Sequence, residues 1–390
     1  MKRFLNQKIQ AIQPSGIRKF FDIANQMENV ISLGVGEPDF ETPWHIREVG
    51  VDTLNNGYTF YTSNAGLLKL REAIAERIER FYGAKYDPQH EVLVTVGGSE
   101  AIDLALRATL NAGDEVIIPD PSYVSYLPCV QLADGVPVML PLKEKNNFKM
   151  VPEDLEAVIT PKTKILVLSF PNNPTGAIMT RQDLEAIIPV IVKHDLMVIT
   201  DEIYADLTYG DQSHTSIISF PEMYDRTVYI SGFSKAYSMT GWRLGYCAAP
   251  EDLLIQMTKI HQFAIMAAPT MSQYAGIEAI KHGDEDIEEM RHSYDQRRKF
   301  LLQQMDRLGI PCFEPQGAFY IFPNISQFGL SSEDFAWGLL EVEKVAVVPG
   351  TAFGPSGEGF IRISYAYSIK ELRLAISRLE KYITNLKANH

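Results

Sequence analysis

The sequence predicts an α/β fold in which a mostly parallel seven-stranded sheet is sandwiched by helices and followed by a smaller α+β domain. From Glu91 to Ala249, short β-branched runs alternate with turn residues and segments of helical spacing, which is typical of parallel βαβ units. Several of these runs are apolar without alternation, as expected of strands buried on both faces. After about residue 285 a long charged helix and short strands replace this pattern, which indicates a second, smaller unit.

The seven runs of the predicted sheet share a β-branched, apolar composition. In chain order they are Glu91–Val96, Glu115–Asp120, Val136–Pro141, Lys164–Phe170, Leu196–Glu202, Thr227–Phe233 and Leu244–Ala249. Helices are predicted between them, as at Ser99–Asn111 and Gln182–His194. Upstream, apolar residues recur at helical spacing and predict the buried face of another helix. They are Leu67, Leu70, Ile74, Ile78 and Phe81.

The C-terminal unit is predicted to begin with a long charged helix that runs from Glu285 through Leu308. Short strands are expected around Phe319–Phe322, Val345–Val348 and Phe360–Ser364, and a last helix from Lys370. The first 45 or so residues are rich in glycine and proline and are interpreted as an arm that packs with the small domain. The predicted domains are therefore 1–45, 46–285 and 286–390.

The composition of the chain excludes several classes of protein. It has 390 residues, 46% of them hydrophobic, and 36 basic against 49 acidic residues give a net charge of −13. This charge argues against a protein that binds nucleic acid. Three cysteines without a CxxC pair argue against a disulfide framework. The start lacks a secretory signal and no stretch is long enough to span a membrane, so we expect a cytoplasmic protein with no membrane partner.

Several common catalytic and binding motifs are missing from the sequence. The segment Gly34–Asp39 begins like a dinucleotide-binding fingerprint, but it lacks the third glycine, and Pro38 stands where a helix would begin. No phosphate-binding GxxxxGK motif, HExxH or GxSxG is found. The eight histidines are scattered without ligand spacing, so no metal site is predicted.

The segment from Ser231 to Gly245 is the first candidate for chemistry. It follows a predicted strand, is rich in small and hydroxyl residues, and holds Lys235 and Arg243. Most lysines are solvated surface charges. A lysine in such a loop would instead be partly desolvated, which lowers its pKa toward the neutral amine that forms a Schiff base. Ser-x-x-Lys chemistry is excluded because Gly232 stands three residues before the lysine.

Further candidates follow the ends of predicted strands, where ligands bind in open α/β sheets. Asp201 ends one strand, with Tyr204 three residues later, and Asn172–Gly176 follows another. The turn Gly97–Ser99 precedes a helix and would present free N–H groups to a phosphate. Arg362 lies in an apolar strand, where a guanidinium is costly unless it faces an anion such as a carboxylate.

Three of these candidates also have a purely structural interpretation. Asp201 is equally explained as a helix N-cap, and the Asn-Pro-Thr-Gly run as a turn. An isolated Gly-Gly-Ser is more often an ordinary capped helix start.

Together these segments resemble the class I/II, fold-type I aminotransferases that depend on pyridoxal 5'-phosphate. The resemblance covers nearly the whole chain and rests on seven motifs in the family's order. They are Leu33–Phe40, Tyr61–Gly66, Gly97–Ala101, Asn172–Gly176, Asp201–Tyr204, Lys235–Arg243 and Phe360–Ile363. Among subgroups, the chain is most similar to prokaryotic aromatic and N-acetyl-diaminopimelate aminotransferases.

The resemblance implies roles for the residues that match the motifs. Lys235 would hold the cofactor through a Schiff base and then act as the base that moves the substrate proton. Asp201 would pair with the pyridinium nitrogen and keep it protonated. Asn173 and Tyr204 would donate hydrogen bonds to the phenolate oxygen of the cofactor.

The resemblance also implies a phosphate site. Gly98, Ser99, Ser234 and Arg243 would hold the phosphate, and Glu100 would contribute its backbone N–H because its carboxylate would repel the anion. Many relatives carry a serine three residues before the lysine, whereas this chain has Gly232, so Ser234, and after it Ser231, must supply the hydroxyl groups.

Further residues complete the implied site. Tyr123 would stack on the pyridine ring, and Arg362 would bind the α-carboxylate of the substrate, with Gly36 and Asn173 nearby. Tyr61 matches a tyrosine that the family sends to the phosphate of the neighbouring subunit. A homodimer with shared active sites is therefore implied.

The resemblance implies ping-pong transfer of an amino group from an L-amino acid to a 2-oxo acid such as 2-oxoglutarate. The arm Pro14–Phe21 and the loop Gln262–Thr270 are the expected pocket walls. An aromatic or long apolar side chain would suit Ile17, Phe60, Tyr61 and Phe263. We therefore favour an aromatic or broad-range enzyme. Arg18 could instead serve aspartate or glutamate.

Other functions remain open from the sequence. Aspartate and N-acetyl-diaminopimelate aminotransferases share most of these motifs. A carbon–sulfur β-lyase shares the lysine, although such enzymes usually differ after it. A non-enzymatic effector-binding module would need a DNA-binding domain, for which the chain shows neither spare length nor a basic patch.

Overall fold

The protein is described from a computed structural model, which covers residues 4–12, 27–210 and 213–388. The predicted arm segment Pro14–Phe21, with Ile17 and Arg18, lies outside the described residues. A seven-stranded sheet forms the centre of the fold, as the sequence predicts.

The strands are short and mostly buried. In chain order they are β1 (Ile31–Ser32), β2 (Val92–Thr95), β3 (Glu115–Asp120), β4 (Val136–Pro141), β5 (Thr163–Ser169), β6 (Met197–Asp201), β7 (Thr227–Gly232), β8 (Gly245–Ala248), β9 (Tyr320–Ile321), β10 (Val345–Ala346), β11 (Val348–Pro349) and β12 (Ile361–Ser364).

The α-helices alternate with the strands of the large sheet and follow it. In chain order they are α1 (Gln7–Ala11), α2 (Trp44–Asn55), α3 (Leu68–Tyr82), α4 (Gly98–Thr109), α5 (Tyr126–Leu132), α6 (Pro152–Val158), α7 (Arg181–Lys193), α8 (Glu251–Ala264), α9 (Thr270–His282), α10 (Asp284–Leu308), α11 (Ser332–Glu343) and α12 (Ile369–Ala388).

The central sheet has the strand order β2-β8-β7-β6-β5-β3-β4. Strands β7, β6, β5, β3 and β4 pair in parallel, while β8 is antiparallel to both of its neighbours. All seven predicted runs are in this sheet, displaced by no more than two residues at either end. Parallel strands bring their carboxyl ends to one edge, so the segments after β5, β6 and β7 meet there.

Local sequence explains where several helices begin and end. Thr180 and Asp183 form a reciprocal capping box at the start of α7. Helices α3 and α10 end at Gly83 and Gly309, whose φ angles of 72° and 69° are left-handed and favour glycine.

The remaining strands form two small sheets. One pairs β1 with β10 in parallel, and the other has the order β11-β12-β9. The predicted strand at Val345–Val348 is therefore two strands, because Val347 separates residues that pair with β1 from residues that pair with β12.

Apolar cores lie on both faces of the large sheet and around the small sheets. The predicted inner face of α3 is correct for Leu70, Ile74 and Ile78, which are buried. It is wrong for Phe81, which is 52% exposed and lies under the Arg77 and Arg80 guanidinium groups. Within the described ranges, no helix is long and apolar enough to cross a membrane.

Candidate active site

A cavity of about 620 Å³ opens at the carboxyl edge of the large sheet. Most of the residues predicted for the site line it. They are Gly36, Gly98, Ser99, Tyr123, Asn173, Asp201, Tyr204, Ser234, Lys235, Arg243 and Arg362. Seven segments that are distant in sequence therefore converge on one cavity, which holds the lysine together with Arg243 and Arg362.

Lys235 follows β7 and stands in the middle of this cavity. Its Nζ donates a hydrogen bond of 2.6 Å to the backbone oxygen of Gly36. Burial lowers the pKa of the amine, the carboxylate of Glu37 opposes this shift, and the positive charges of Arg362 and Arg243 add to it, so that the resulting pKa is about 8. A sizeable fraction of the amine is therefore neutral near neutral pH, which makes it a nucleophile and a base.

Asp201 is the last residue of β6 and is buried. Its Oδ2 lies 2.7 Å from the Tyr126 hydroxyl, which also lies 2.7 Å from Oγ of Ser169. Its Oδ1 accepts a hydrogen bond of 3.2 Å from the Ile203 N–H. Burial raises the pKa of the carboxyl, and the Tyr126 hydrogen bond limits this rise. A buried carboxylate at this strand end suits a cationic nitrogen.

Arg362 lies on β12 and is only 3% exposed. Its Nη1 donates to Oδ1 of Asn173 at 2.8 Å, and its Nη2 donates to the backbone oxygen of Gly34. The guanidinium lies 4.3 Å from the centre of the Tyr320 ring and 4.7 Å from that of Phe353. We call this part of the cavity the Arg362 end.

The charge of Arg362 is not neutralised in the described part of the chain. No described carboxylate pairs with it, and its buried Nε has no hydrogen-bond partner there. Burial lowers the pKa of the guanidinium. Because a buried, uncompensated cation is costly, the Arg362 end is suited to an anionic group such as a carboxylate.

Tyr204 follows β6 and is buried against the Arg362 end. Its hydroxyl lies 2.8 Å from that of Tyr320, and burial raises its pKa well above the ordinary value for tyrosine. The phenol is therefore neutral and can act as a hydrogen-bond donor toward the cavity.

The opposite part of the cavity, which we call the glycine-turn end, consists of Gly97–Ser99 and Arg243. Gly97 has a φ of 77°, and a Cβ atom there would lie 2.6 Å from Nη2 of Arg243, so only glycine fits. Helix α4 begins at Gly98, so its first N–H groups have no acceptor within the helix, and Gly98 and Ser99 line the cavity. Arg243 donates to the Thr240 backbone oxygen at 3.1 Å and is exposed. This donor set fits a phosphate.

Ser234 lines the cavity beside this turn. Ser231 does not line it, and its Oγ lies 3.5 Å from the backbone oxygen of Glu202. Of the two serines that the sequence offers in place of Gly232, the structure brings only Ser234 to the site.

Two predicted residues, Glu100 and Tyr61, do not line the cavity. The Glu100 carboxylate accepts a 2.5 Å hydrogen bond from the Val96 N–H and lies 2.7 Å from Nδ1 of His261. The Glu100 N–H, expected to bind phosphate, donates to the Gly97 backbone oxygen at 3.2 Å. Tyr61 is 83% exposed, so within one subunit it does not reach the site.

The described part of the expected substrate-pocket walls does not line the cavity either. Phe60 and Phe263 are exposed and, like Tyr61, do not line the cavity of the single chain. Their segments are linked, because the Thr270 hydroxyl donates to the Phe60 backbone oxygen at 2.6 Å and the Asn64 amide to that of Met266 at 2.8 Å.

Several lining residues were not predicted from the sequence. They are Glu37, Tyr126, Ser169, Thr240, Tyr320 and Phe353. Tyr126 ends the Pro121–Tyr126 segment after β3, so its position after a parallel strand was an available signal. Glu37 hydrogen bonds to the Thr240 hydroxyl across the cavity mouth, and nothing in their sequence spacing predicts this pairing.

The described ranges contain no cluster of histidine, cysteine or acidic residues suited to a metal ion. Residues 28–379 match the model of a protein family described as aminotransferase class I and II. This chain belongs to that family. Enzymes of the family depend on pyridoxal 5'-phosphate, so the chain is a pyridoxal-phosphate-dependent aminotransferase of the fold-type I architecture.

Full-length relatives agree with this assignment. The chain is 43% identical to aromatic-amino-acid aminotransferase 2 of Thermococcus litoralis and 45% identical to an aspartate aminotransferase of Pyrococcus abyssi, and in both cases 98% of the chain and 99% of the relative are aligned. The structure of an aromatic aminotransferase from Pyrococcus horikoshii superposes with a TM-score of 0.91 at 44% identity, over 94% of this chain and 99% of that one.

The aminotransferase assignment decides between the activities that the sequence leaves open. Transamination is the activity for which the family and these relatives are named. Carbon–sulfur elimination and effector binding without catalysis have no corresponding support. The names of the relatives differ only in the amino acid, so the side-chain preference of this aminotransferase is the remaining question.

Proposed function

We propose that this aminotransferase binds its cofactor phosphate at the glycine-turn end and the α-carboxylate of its substrate at the Arg362 end. The support is the chemistry of the two ends. Gly98, Ser99, Ser234 and Arg243 supply only hydrogen-bond donors and positive charge, whereas Arg362 supplies one buried, uncompensated guanidinium.

The residues between these ends are assigned to the cofactor ring. Asp201 offers a buried carboxylate to the ring nitrogen, and Tyr204 and Asn173 offer donors to the ring oxygen. Tyr123 lines the cavity beside Tyr126 and is assigned to stack on the ring. Gly36 is assigned to the substrate end beside Lys235, where its backbone passes so close to Tyr320 that a Cβ would lie 2.2 Å from the hydroxyl oxygen.

Lys235 is assigned as the nucleophile and base. When bound, pyridoxal phosphate supplies an electron-withdrawing ring that makes the Cα proton of an amino acid removable. The lowered pKa of Lys235 lets the neutral amine accept that proton and return it, as a ping-pong transfer between two substrates requires.

For the substrate, we propose an aromatic or broad range of L-amino acids. This preference is supported by the residues that line the cavity. Among the described residues, the only cations in the lining are Lys235, Arg243 and Arg362. Each of them is already assigned to another group, so none is left for a charged substrate side chain. Glu37 adds a negative charge that would repel a second carboxylate. Phe353 and Tyr320 offer aromatic surface, so an uncharged aromatic side chain fits better than that of aspartate.

The amino acceptor is proposed to be a 2-oxo acid such as 2-oxoglutarate. Its second carboxylate needs a cation beyond the described lining, and Arg18, which lies outside the described residues, is the one that the sequence offers. Aspartate and N-acetyl-diaminopimelate remain the alternative donors, because a cation at Arg18 that serves 2-oxoglutarate would also serve aspartate, and the Pyrococcus abyssi relative is named for aspartate.

We also propose a homodimer with shared active sites. Tyr61, Phe60 and Phe263 expose 83%, 80% and 87% of their surface, and exposed aromatic groups of this kind mark protein–protein contacts. In this assembly Tyr61 would reach the phosphate of the neighbouring subunit.

The proposed domains are 1–45, 46–285 and 286–390. We also propose a cytoplasmic location, which the unpaired cysteines support.

The substrate proposal is tested by absorbance spectroscopy of the purified enzyme loaded with pyridoxal phosphate. Tyrosine, phenylalanine, aspartate and N-acetyl-diaminopimelate are added one at a time, and conversion to the pyridoxamine spectrum is measured. We expect tyrosine and phenylalanine to convert the enzyme at lower concentration than aspartate. Selective conversion by aspartate or N-acetyl-diaminopimelate would contradict the aromatic assignment, and pyruvate release from cystathionine without an acceptor would indicate a β-lyase.

A further inference from the structure

A buried acid–base pair lies behind the glycine-turn end. Glu100 stands in the first turn of α4, and its Oε1 lies 2.7 Å from Nδ1 of His261 on α8. The side chain of His261 has no exposed surface, and that of Glu100 is 12% exposed. Helices α4 and α8 pack together over an apolar core, so the carboxylate is stable there only because it is hydrogen bonded.

The same carboxylate also contacts the other side of the turn. Oε2 of Glu100 accepts a hydrogen bond of 2.5 Å from the N–H of Val96, the residue directly before Gly97. The Glu100 side chain thus joins the strand that enters the turn to the helix that leaves it. Its two hydrogen bonds also direct the carboxylate away from the cavity.

His261 makes no other polar contact through its ring within the described residues. Its buried Nε2 has no hydrogen-bond partner there. Leaving a buried polar atom unpaired is costly, and an apolar residue at this position would avoid the cost. The hydrogen bond to Glu100 is therefore the one polar interaction that the imidazole provides.

We propose that His261 is a positioning residue for the cofactor phosphate and acts through Glu100. A carboxylate in the first turn of a helix is attracted by the same free N–H groups that bind phosphate. Without the His261 donor, Glu100 is held only by the Val96 N–H, and its unpaired oxygen can turn toward Gly98 and Ser99 and compete with the phosphate. This inference rests on the proposed assignment of the phosphate to the glycine-turn end.

The test compares two ligands of the cofactor-free enzyme, pyridoxal phosphate and pyridoxal, which lacks the phosphate. In His261→Leu we expect the Kd of pyridoxal phosphate to rise about tenfold, as for loss of one charge-assisted hydrogen bond. The Kd of pyridoxal should change less than about twofold. A general packing defect would raise the Kd of both ligands equally, and that result would overturn the proposal.

A conservative pair of variants tests the mechanism without an apolar substitution. In His261→Asn the side-chain amide nitrogen stands as many bonds from Cβ as Nδ1 of the histidine, so it can still donate to Glu100, and we expect a Kd for pyridoxal phosphate within about threefold of the parent. In His261→Gln the amide nitrogen is one bond farther out, which corresponds to Nε2 instead of Nδ1, and the phosphate-specific loss should return. Equal behaviour of the two variants would contradict the proposal, and this comparison holds even if His261→Leu does not fold.

A matched control is the exposed His282–Glu278 pair on α9, with a distance of 3.0 Å between Nδ1 and Oε2. We expect His282→Leu to leave both affinities unchanged. Arg243→Gln separates the inference from the assignment on which it rests. Suppose that Arg243→Gln weakens the binding of pyridoxal phosphate but not of pyridoxal, while His261→Leu changes the affinity for both ligands or for neither. The His261 proposal is then wrong, and the phosphate assignment stands. If Arg243→Gln shows no phosphate-specific loss, that assignment is itself wrong.

Discussion

The two ends of the cavity for which we propose anion binding are built in different ways. At the glycine-turn end, the donors are backbone N–H groups at the start of α4, assisted by the exposed Arg243. At the Arg362 end, one buried guanidinium is held by Asn173 and by the Gly34 backbone oxygen. The first end distributes binding over a turn of the chain, whereas the second concentrates it in one side chain.

The two ends therefore depend on the rest of the protein to different degrees. The turn Gly97–Ser99 needs only consecutive residues between a strand and a helix. The Arg362 end needs β12, the loop after β5 and the segment before α2 to meet at one place. We therefore expect single substitutions to have larger effects at the Arg362 end than at the glycine-turn end.

Lys235 lies between the two ends, and its removal should have the largest effect. In Lys235→Ala we expect turnover to fall by more than about 10⁴-fold, because both nucleophile and proton acceptor are lost. Both ends should still bind their ligands and the fold should persist, which circular dichroism and ligand titration would show. Retained turnover would disprove the role of Lys235.

At the Arg362 end, Arg362→Ala should lower kcat/KM by about 10³-fold for every α-amino acid, since loss of a buried charged contact costs several kcal/mol. Steady-state kinetics with tyrosine, phenylalanine and aspartate measure this effect. A loss restricted to one side-chain class would show that Arg362 contacts the side chain instead of the α-carboxylate.

At the glycine-turn end, Arg243→Gln should raise the Kd of pyridoxal phosphate by about tenfold, because the backbone donors remain. The difference between parent and variant should shrink at high salt, since Arg243 is exposed and its charge is screened. Equilibrium titration at two salt concentrations provides the measurement. If Arg243→Gln reduced binding as strongly as Arg362→Ala reduces kcat/KM, the two ends would not differ in the way we expect.

The smallest effect concerns stability and pH. The folded pKa of Lys235, about 8, lies below its ordinary value of 10.5, so between these pH values the unfolded chain binds more protons than the folded chain. The cost of the buried charge is therefore complete below about pH 8 and disappears as the pH rises to about 10.5.

Lys235→Met removes this cost. In the cofactor-free protein we expect it to raise Tm by about 2 °C at pH 7, a value reduced by solvent screening of the partly exposed amine. Thermal melts from pH 7 to 10.5 should show the difference closing as the pH rises. A constant difference would mean that Lys235 affects stability through packing alone.

Much of this arrangement was predictable from the sequence. The seven strands, the motifs at their ends and the candidate residues Lys235, Asp201, Arg243 and Arg362 are local features, because a strand, a turn and a helix start each depend on neighbouring residues. Their convergence on one edge follows from the rule that parallel strands carry their ligand sites at their carboxyl ends.

Other features depend on contacts between segments far apart in the chain. Tyr320 contacts Tyr204 across 116 positions, and His261 contacts Glu100 across 161. No local pattern in the sequence specifies these partners.

The sequence alone thus determined the fold class and the residues that carry positive charge into the cavity, since these follow from local composition and motifs, and the order of its motifs resembled one reaction family. Only the tertiary structure decided that the Glu100 carboxylate turns away from the glycine turn and that Arg362 is buried without an acidic partner. The physical reason is that the burial and the hydrogen bonds of a side chain depend on the residues that pack against it. These residues lie far away in the chain, and sequence spacing does not specify them.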